Sequence, residues 1–169
     1  MVSAGVQAQA RCCSRKSLIC TYRTAGPSGS GVDDQVVVPC TSGTYPLGCS
    51  TWTWASHSDG SYFTNSSCIG QNDDPTVGVY SYAACCSGLG GQCRTVYSQP
   101  SGQNQGDTAS VMCPSGLVMT GCNVFSKYGR AAGAQISVSN GLISCKAVNG
   151  FTKYGGETGV QAIATCCPR

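Results

Sequence analysis

Three stretches of the chain alternate small or apolar with polar positions at the two-residue period of a β-strand. Each closes on adjacent cysteines: "GVQAQARCC" (5–13), "GVYSYAACC" (78–86) and "GVQAIATCC" (159–167). In the third, Val160, Ala162, Ala164 and Cys166 fall on one side, and Gln161, Ile163, Thr165 and Cys167 on the other. Neighbouring cysteines on a strand therefore point to opposite faces and cannot easily bond each other. Each needs its own partner, so one strand is pinned on both sides. Elsewhere "DQVVVPC" (34–40) carries a β-branched run ending at Pro39, and "SYFTNSSC" (61–68) alternates as a strand. "AQISVSNGLISC" (134–145) predicts two strands joined through Asn140-Gly141, a pair that tolerates positive φ. "TAGPSGSG" (24–31) and "SQPSGQNQGD" (98–107) read as exposed loops in which Gly, Pro and Ser prevent regular structure. No segment shows a helical period over a useful length, and the pattern is that of an all-β protein.

Cysteine spacing organises these strands into a repeat. Cys20, Cys40, Cys49, Cys68 and the Cys85-Cys86 pair are answered by Cys93, Cys113, Cys122, Cys145 and the Cys166-Cys167 pair. The first two separations are the same in both sets, and the later ones lengthen as loop insertions would lengthen them. "SRKSLI" after Cys13 and "SGLGGQ" after Cys86 are links of equal length. The reading is of two six-cysteine modules, 14–86 and 87–169, preceded in 1–13 by the last strand of another. Six cysteines permit many pairings, and spacing alone does not choose among them.

Composition changes the picture in one respect. Leu, Ile, Val and Phe number only 28 of 169 residues, too few for an ordinary core, yet charged residues make up only 10%, unlike a disordered chain. Fourteen cysteines resolve the conflict as a disulfide scaffold, formed in an oxidising and hence extracellular compartment. Zinc is disfavoured, because no C-x-x-C occurs and the chain has one histidine. The start "MVSAGVQAQA" is not a signal peptide, so Met1 reads as placed on a piece of something longer. No run reaches membrane-spanning length, which argues against membrane insertion. Ten scattered Lys and Arg against seven acids give no basic stripe for nucleic acid.

The strings "CPSGLVMTGC" (113–122) and "NGLISCKAVNGFTKYGGETGVQAIATCC" (140–167) resemble the Cys/His-rich C-terminal domain of the proprotein convertase subtilisin/kexin type 9 family. The likeness lies in L-x-x-TGC, C-[basic]-A-x-N-x-F and GG-x-x-GV-x-A-I-A-x-CC. The first module keeps the cysteine frame but writes "YPLGC" and "GVYSYAACC". The resemblance implies an all-β fold of two tandem small disulfide-rich antiparallel β-sandwich or jelly-roll-like modules. It also implies nested disulfides: Cys20–Cys86, Cys40–Cys85 and Cys49–Cys68, then Cys93–Cys167, Cys113–Cys166 and Cys122–Cys145. The widest of these loops would each contribute about 4 kcal/mol in a chain-entropy model. In that family the modules stack around a pseudo-threefold axis, as resistin subunits do. Two modules leave the arrangement one short, to be completed by a module upstream of residue 5 or by association of copies. Cys12 and Cys13 would have partners upstream, and here be free or engaged between chains. The sequence departs from the family in having no subtilisin-like domain, no prodomain and one histidine, so neither protease activity nor histidine-based pH sensing carries over.

The sequence offers no assembled set of nucleophile, base and orienting group. Ser56, His57, Ser58 and Asp59 invite a triad, but consecutive loop residues do not converge as triad members must, and "ASHSDG" reads as a polar turn closed by Asp59-Gly60. Asp33-Asp34 and Asp73-Asp74 lack the alternating ligands of a calcium loop and read as solvated acids. "GLGGQ" and "KYGG" lack the context of a phosphate loop. No catalytic residue, metal ligand or cofactor is expected. Asn65 opens a glycosylation sequon, "NSS". Trp52 and Trp54 share one face of an extended segment. Burial tendency makes them core, the alternative being an anchor for a sugar or partner protein. Tyr45, Tyr128 and Tyr154, beside Gly, Lys or Pro, are expected in loops, where they would be solvated or touch a surface. The functional expectation is a secreted, non-enzymatic structural or adhesive component of an extracellular material. It would act through other modules of the same protein, self-association, or surface contacts. The alternative is a soluble module recognising an extracellular receptor or glycan.

Overall fold

A computed structural model describes residues 12, 17–54, 58–64, 66–89, 92–127, 131–150 and 159–168. Among them there are twelve strands and no helix. The first six are β1 (Ile19–Ala25), β2 (Gln35–Pro39), β3 (Tyr45–Trp52), β4 (Ser58–Thr64), β5 (Ser67–Asn72) and β6 (Tyr80–Ser87). The second six are β7 (Arg94–Tyr97), β8 (Thr108–Met112), β9 (Leu117–Phe125), β10 (Ala131–Ser139), β11 (Leu142–Asn149) and β12 (Gln161–Pro168). The expected all-β, disulfide-rich sandwich is what the chain forms, with every pairing antiparallel.

Strand order is the same in the two halves. The first half pairs β1-β6-β3 and β2-β5-β4; the second pairs β7-β12-β9 and β8-β11-β10. Irregularities also fall at matching places. Leu47 in β3 and Thr120 in β9 are extra residues against the double-cysteine strand, and bulges next to Gly60 in β4 and Gly133 in β10 kink the hairpins. Asn140 and Gly141 take φ of 49° and 76° and turn β10 into β11, as their tolerance of positive φ predicts.

The double-cysteine strands are central in their sheets. Residues 162–167 of β12 are buried on both faces, which is why its side chains are Ala, Thr, Cys and one Ile rather than larger groups. One core gathers Met119, Ala147, Val160, Ala162 and Ala164. The other gathers Val38, Phe63, Ala83 and, from the second half, Ile163.

The structure departs from the sequence pattern at three places. "SYFTNSSC" is not one strand; it is the end of β4 and the start of β5, with Ser66 in the turn between them. "ASHSDG" is not wholly a polar turn, because Ser58 begins β4 and Asp59 is fully buried. The two Gly/Pro/Ser loops are exposed over much of their length but closely held. Val79 N–H donates to Ser28 Oγ, and Val160 N–H to Ser101 Oγ. Gly31 N–H donates to Asp34 Oδ2, and Asn104 N–H to Asp107 Oδ2. Asn72 Nδ2 donates to Gly31 O, and Asn149 Nδ2 to Asn104 O. Side chains thus satisfy the backbone groups that no ladder reaches.

Candidate interaction surface

Six disulfides brace the two sandwiches, and none joins one half to the other. Cys20–Cys86, Cys40–Cys85 and Cys49–Cys68 lie in the first half; Cys93–Cys167, Cys113–Cys166 and Cys122–Cys145 lie in the second. The opposed directions of adjacent cysteines become concrete. Cys85 ties β6 to the end of β2 in the facing sheet, while Cys86 ties the same strand sideways to β1. Cys12 is free and exposed, and Cys13 lies outside the described residues.

The halves meet through unlike edges. Edge strand β4 of one docks on edge strand β9 of the other, giving a continuous six-stranded sheet, β2-β5-β4-β9-β12-β7. Gly60 stands opposite Phe125, and Ser126 N–H donates to Asp59 O at 2.9 Å. Gly60 has φ of 101°, and a Cβ there would lie 2.3 Å from Val124 O, so a side chain is excluded twice over. Phe125 packs edge-on against Tyr62 with ring centroids 4.8 Å apart, and Ile163 completes the first core. The Tyr97 hydroxyl, its pKa pushed up by desolvation, donates to Phe63 O at 2.7 Å.

Because the contact is unsymmetrical, each partner leaves its other edge unused. The strand corresponding to β4 is β10, and the one corresponding to β9 is β3; among the described residues each ends its sheet with no ladder partner on the outer side. The residues at the places of Ile163 and Phe125 are Tyr82 and Trp52, and both are exposed. Gly133, at the place of Gly60, has φ of 133° and nothing within 4 Å of a built Cβ. These edges line a cleft of about 350 Å³, in which Leu47–Ser50 of β3 and the corresponding Thr120–Asn123 of β9 both take part, with Ala134 and Ile136 of β10.

Four exposed aromatic groups, Trp52, Trp54, Tyr82 and Tyr22, lie on the first half. Trp54 is 78% exposed and Trp52 41%, their ring centroids 4.4 Å apart in an edge-on arrangement, with Tyr80 beside Trp52 at 5.6 Å. The expected core role of the tryptophans is therefore wrong: Trp52 is the last residue of β3, Trp54 lies beyond it, and both are exposed. Tyr22, on β1, is 87% exposed. Tyr45 is not in a loop; it opens β3 opposite Cys86 and is half-buried. Tyr128, Tyr154, Asn65 and His57 lie outside the described residues.

Beneath the junction lies a polar group that the sequence reading misses. Gln71 Nε2 donates to Asp59 Oδ2 at 2.7 Å and to Asp33 Oδ1 at 2.8 Å, while Gln35 Nε2 donates to Gln71 Oε1 at 3.0 Å. Asp33 holds this position with φ of 68°, unusual for a residue with a side chain. Burial, opposed by the Gln71 hydrogen bond and reinforced by the charges of Asp73 and Asp33, pushes the Asp59 carboxyl up to about 8. The usable signal was comparative: aligned on the cysteines, Asp33, Gln35, Asp59 and Gln71 stand where the second half has Gly106, Thr108, Ala132 and Val148. Among the described residues, no three His, Cys, Asp or Glu side chains are placed to hold a metal ion.

Residues 87–169 match the family model of the proprotein convertase subtilisin-like/kexin type 9 C-terminal domain. The second half resembles a module of that domain. Proprotein convertase subtilisin/kexin type 9 of Rattus norvegicus and that of Mus musculus are each 44% identical to the chain over 80 residues, 46% of this chain and 11% of theirs. The chain thus spans about a tenth of the length of the curated relatives it matches. The chain is thus stabilised by six disulfides, and its second half is similar to the convertase C-terminal domain.

Proposed function

We propose that the chain is part of a secreted, non-enzymatic repeat protein that serves as a structural or adhesive component of an extracellular material. Its working units are modules 14–86 and 87–169, with 1–13 contributing the last strand of a further one. Its partners are modules of its own kind, in the same protein or in another copy, and the surfaces it is fixed to. The observation that carries this reading is the unsymmetrical junction. The contact that already holds β4 on β9 leaves a matching pair of unused edges, β10 and β3. Heterologous contacts of this kind extend or close an assembly, whereas an isologous contact would exhaust itself in a pair. Disulfide bracing suits such a role, since a module that bears load outside the cell needs stability that so thin an aliphatic core does not supply.

Sedimentation velocity over a hundredfold concentration range tests it. The chain should associate reversibly, and Trp52→Asp on β3 and Gly133→Val on β10 should each weaken that association at least tenfold. A strict monomer at all concentrations, or association indifferent to both substitutions, contradicts it. A second reading, recognition of an extracellular receptor or glycan, is favoured by Trp54, an exposed aromatic past the end of β3 where the second half has Lys127. Binding to a glycan or receptor panel that is lost in Trp54→Ala, with sedimentation unchanged, would select that reading.

A further inference from the structure

The buried polar group under the junction has a consequence for how the halves hold together. Asp59 is fully buried, and its side chain receives one hydrogen bond, from Gln71 Nε2 to Oδ2. The other N–H of that amide is taken by Asp33. Oδ1 of Asp59 meets no donor at all. A neutral carboxylic acid tolerates such a place at modest cost; a carboxylate, left with one donor and two acids near it, does not. The same residue holds the second half in place, through its carbonyl to Ser126 and through Gly60 opposite Phe125. The fold itself does not call for an acid here, because the corresponding residue of β10 is Ala132.

We propose that the contact between the two halves is proton-linked: Asp59 binds a proton while β4 is docked on β9 and loses it when the junction opens, so acid tightens the contact and neutral to alkaline conditions loosen it. The titratable groups around it are Asp33 from the segment before β2, Asp73 just after β5, and Tyr62 on its own strand. On the second half's side, the charged residue following Ser126 is the exposed Lys127. His57, two positions earlier in the chain, lies outside the described residues. The sign follows from linkage. The docked state keeps its proton up to about pH 8, whereas a solvated aspartate releases it near 3.8. Stabilisation by the proton is therefore full below that lower value and is lost as pH rises towards 8.

Hydrogen exchange at the Ser126 amide, corrected for the intrinsic pH dependence of exchange, tests this on the whole chain between pH 4.5 and 9. The opening constant should rise by up to about tenfold per pH unit and level off near pH 8, while amides of the β8–β11 ladder stay flat. Asp59→Asn and Asp59→Ala should each abolish the rise; the alanine variant reproduces the arrangement at Ala132 and should fold. His57→Gln should leave the rise intact. A wild-type Ser126 that does not respond to pH overturns the proposal. So does a rise shared by the β8–β11 ladder, or one that survives in Asp59→Ala or vanishes in His57→Gln.

Discussion

The two halves share a strand order and a disulfide pattern but fill them differently. The second half is lined with Met119, Ala147, Val160, Ala162 and Ala164, small groups that pack between its own sheets. The first half is completed from outside, by Ile163 and Phe125, and keeps a polar layer of Asp33, Gln35, Asp59 and Gln71 where the second has Gly106, Thr108, Ala132 and Val148. What differs is which face each has covered. The second half's first sheet lies against a neighbour; the first half's corresponding sheet presents Tyr82, Trp52 and Tyr22 to solvent. The frame fixes the module, and the side chains laid over it decide what the module touches.

Substitutions at corresponding positions can break this comparison. Removing the bridge between sheets should cost most and should cost the halves alike: Cys40→Ala with Cys85→Ala, and Cys113→Ala with Cys166→Ala, should each lose about 2–5 kcal/mol in denaturant unfolding. Unequal losses would mean that one half depends less on its staple than its packing suggests. Ile163→Ala should follow, at about 2–4 kcal/mol, and should open the first half although the residue belongs to the second. Tyr82→Ala, at the same place in the frame, should cost less than about 1 kcal/mol. Equal effects would remove the distinction between a filled and an unfilled junction. Gly60→Ala should come next, destabilising by about 1–3 kcal/mol, because both its φ and Val124 O oppose a Cβ. Gly133→Ala, strained in φ alone, should cost roughly half as much. The smallest stability effect should be at Trp54, where alanine should change unfolding by about 0.5 kcal/mol or less.

Much of the fold is legible in the sequence because its signals are local. Alternation in 159–167, the Asn140-Gly141 turn and the β-branched run before Pro39 act through the period of a strand and the φ of a turn. Where local chemistry and long-range contact disagree, the sequence misleads. Asp59-Gly60 has the composition of a turn, yet it forms the edge of β4, since Gly60 is there to admit Val124 O rather than to reverse the chain. The tryptophans have the size of core residues, yet Trp52 stands at the place of Phe125 on an edge no second module covers, and Trp54 lies beyond the end of β3. The loops "TAGPSGSG" and "SQPSGQNQGD" look unstructured because their order comes from Asn72 and Asn149, more than 40 residues away along the chain. The junction is the least legible feature, as it depends on which of several exposed edges meet.

Among the described residues, the two separately stapled sandwiches are joined by packing, a strand edge and the Tyr97 hydrogen bond, with no disulfide between them. Digestion of the non-reduced chain, with mass mapping of linked peptides, tests this directly. Cys40 should be recovered linked to Cys85 and Cys113 to Cys166, with the other four linkages likewise confined within one half. A peptide joining any cysteine of 17–86 to any of 93–167 would contradict it.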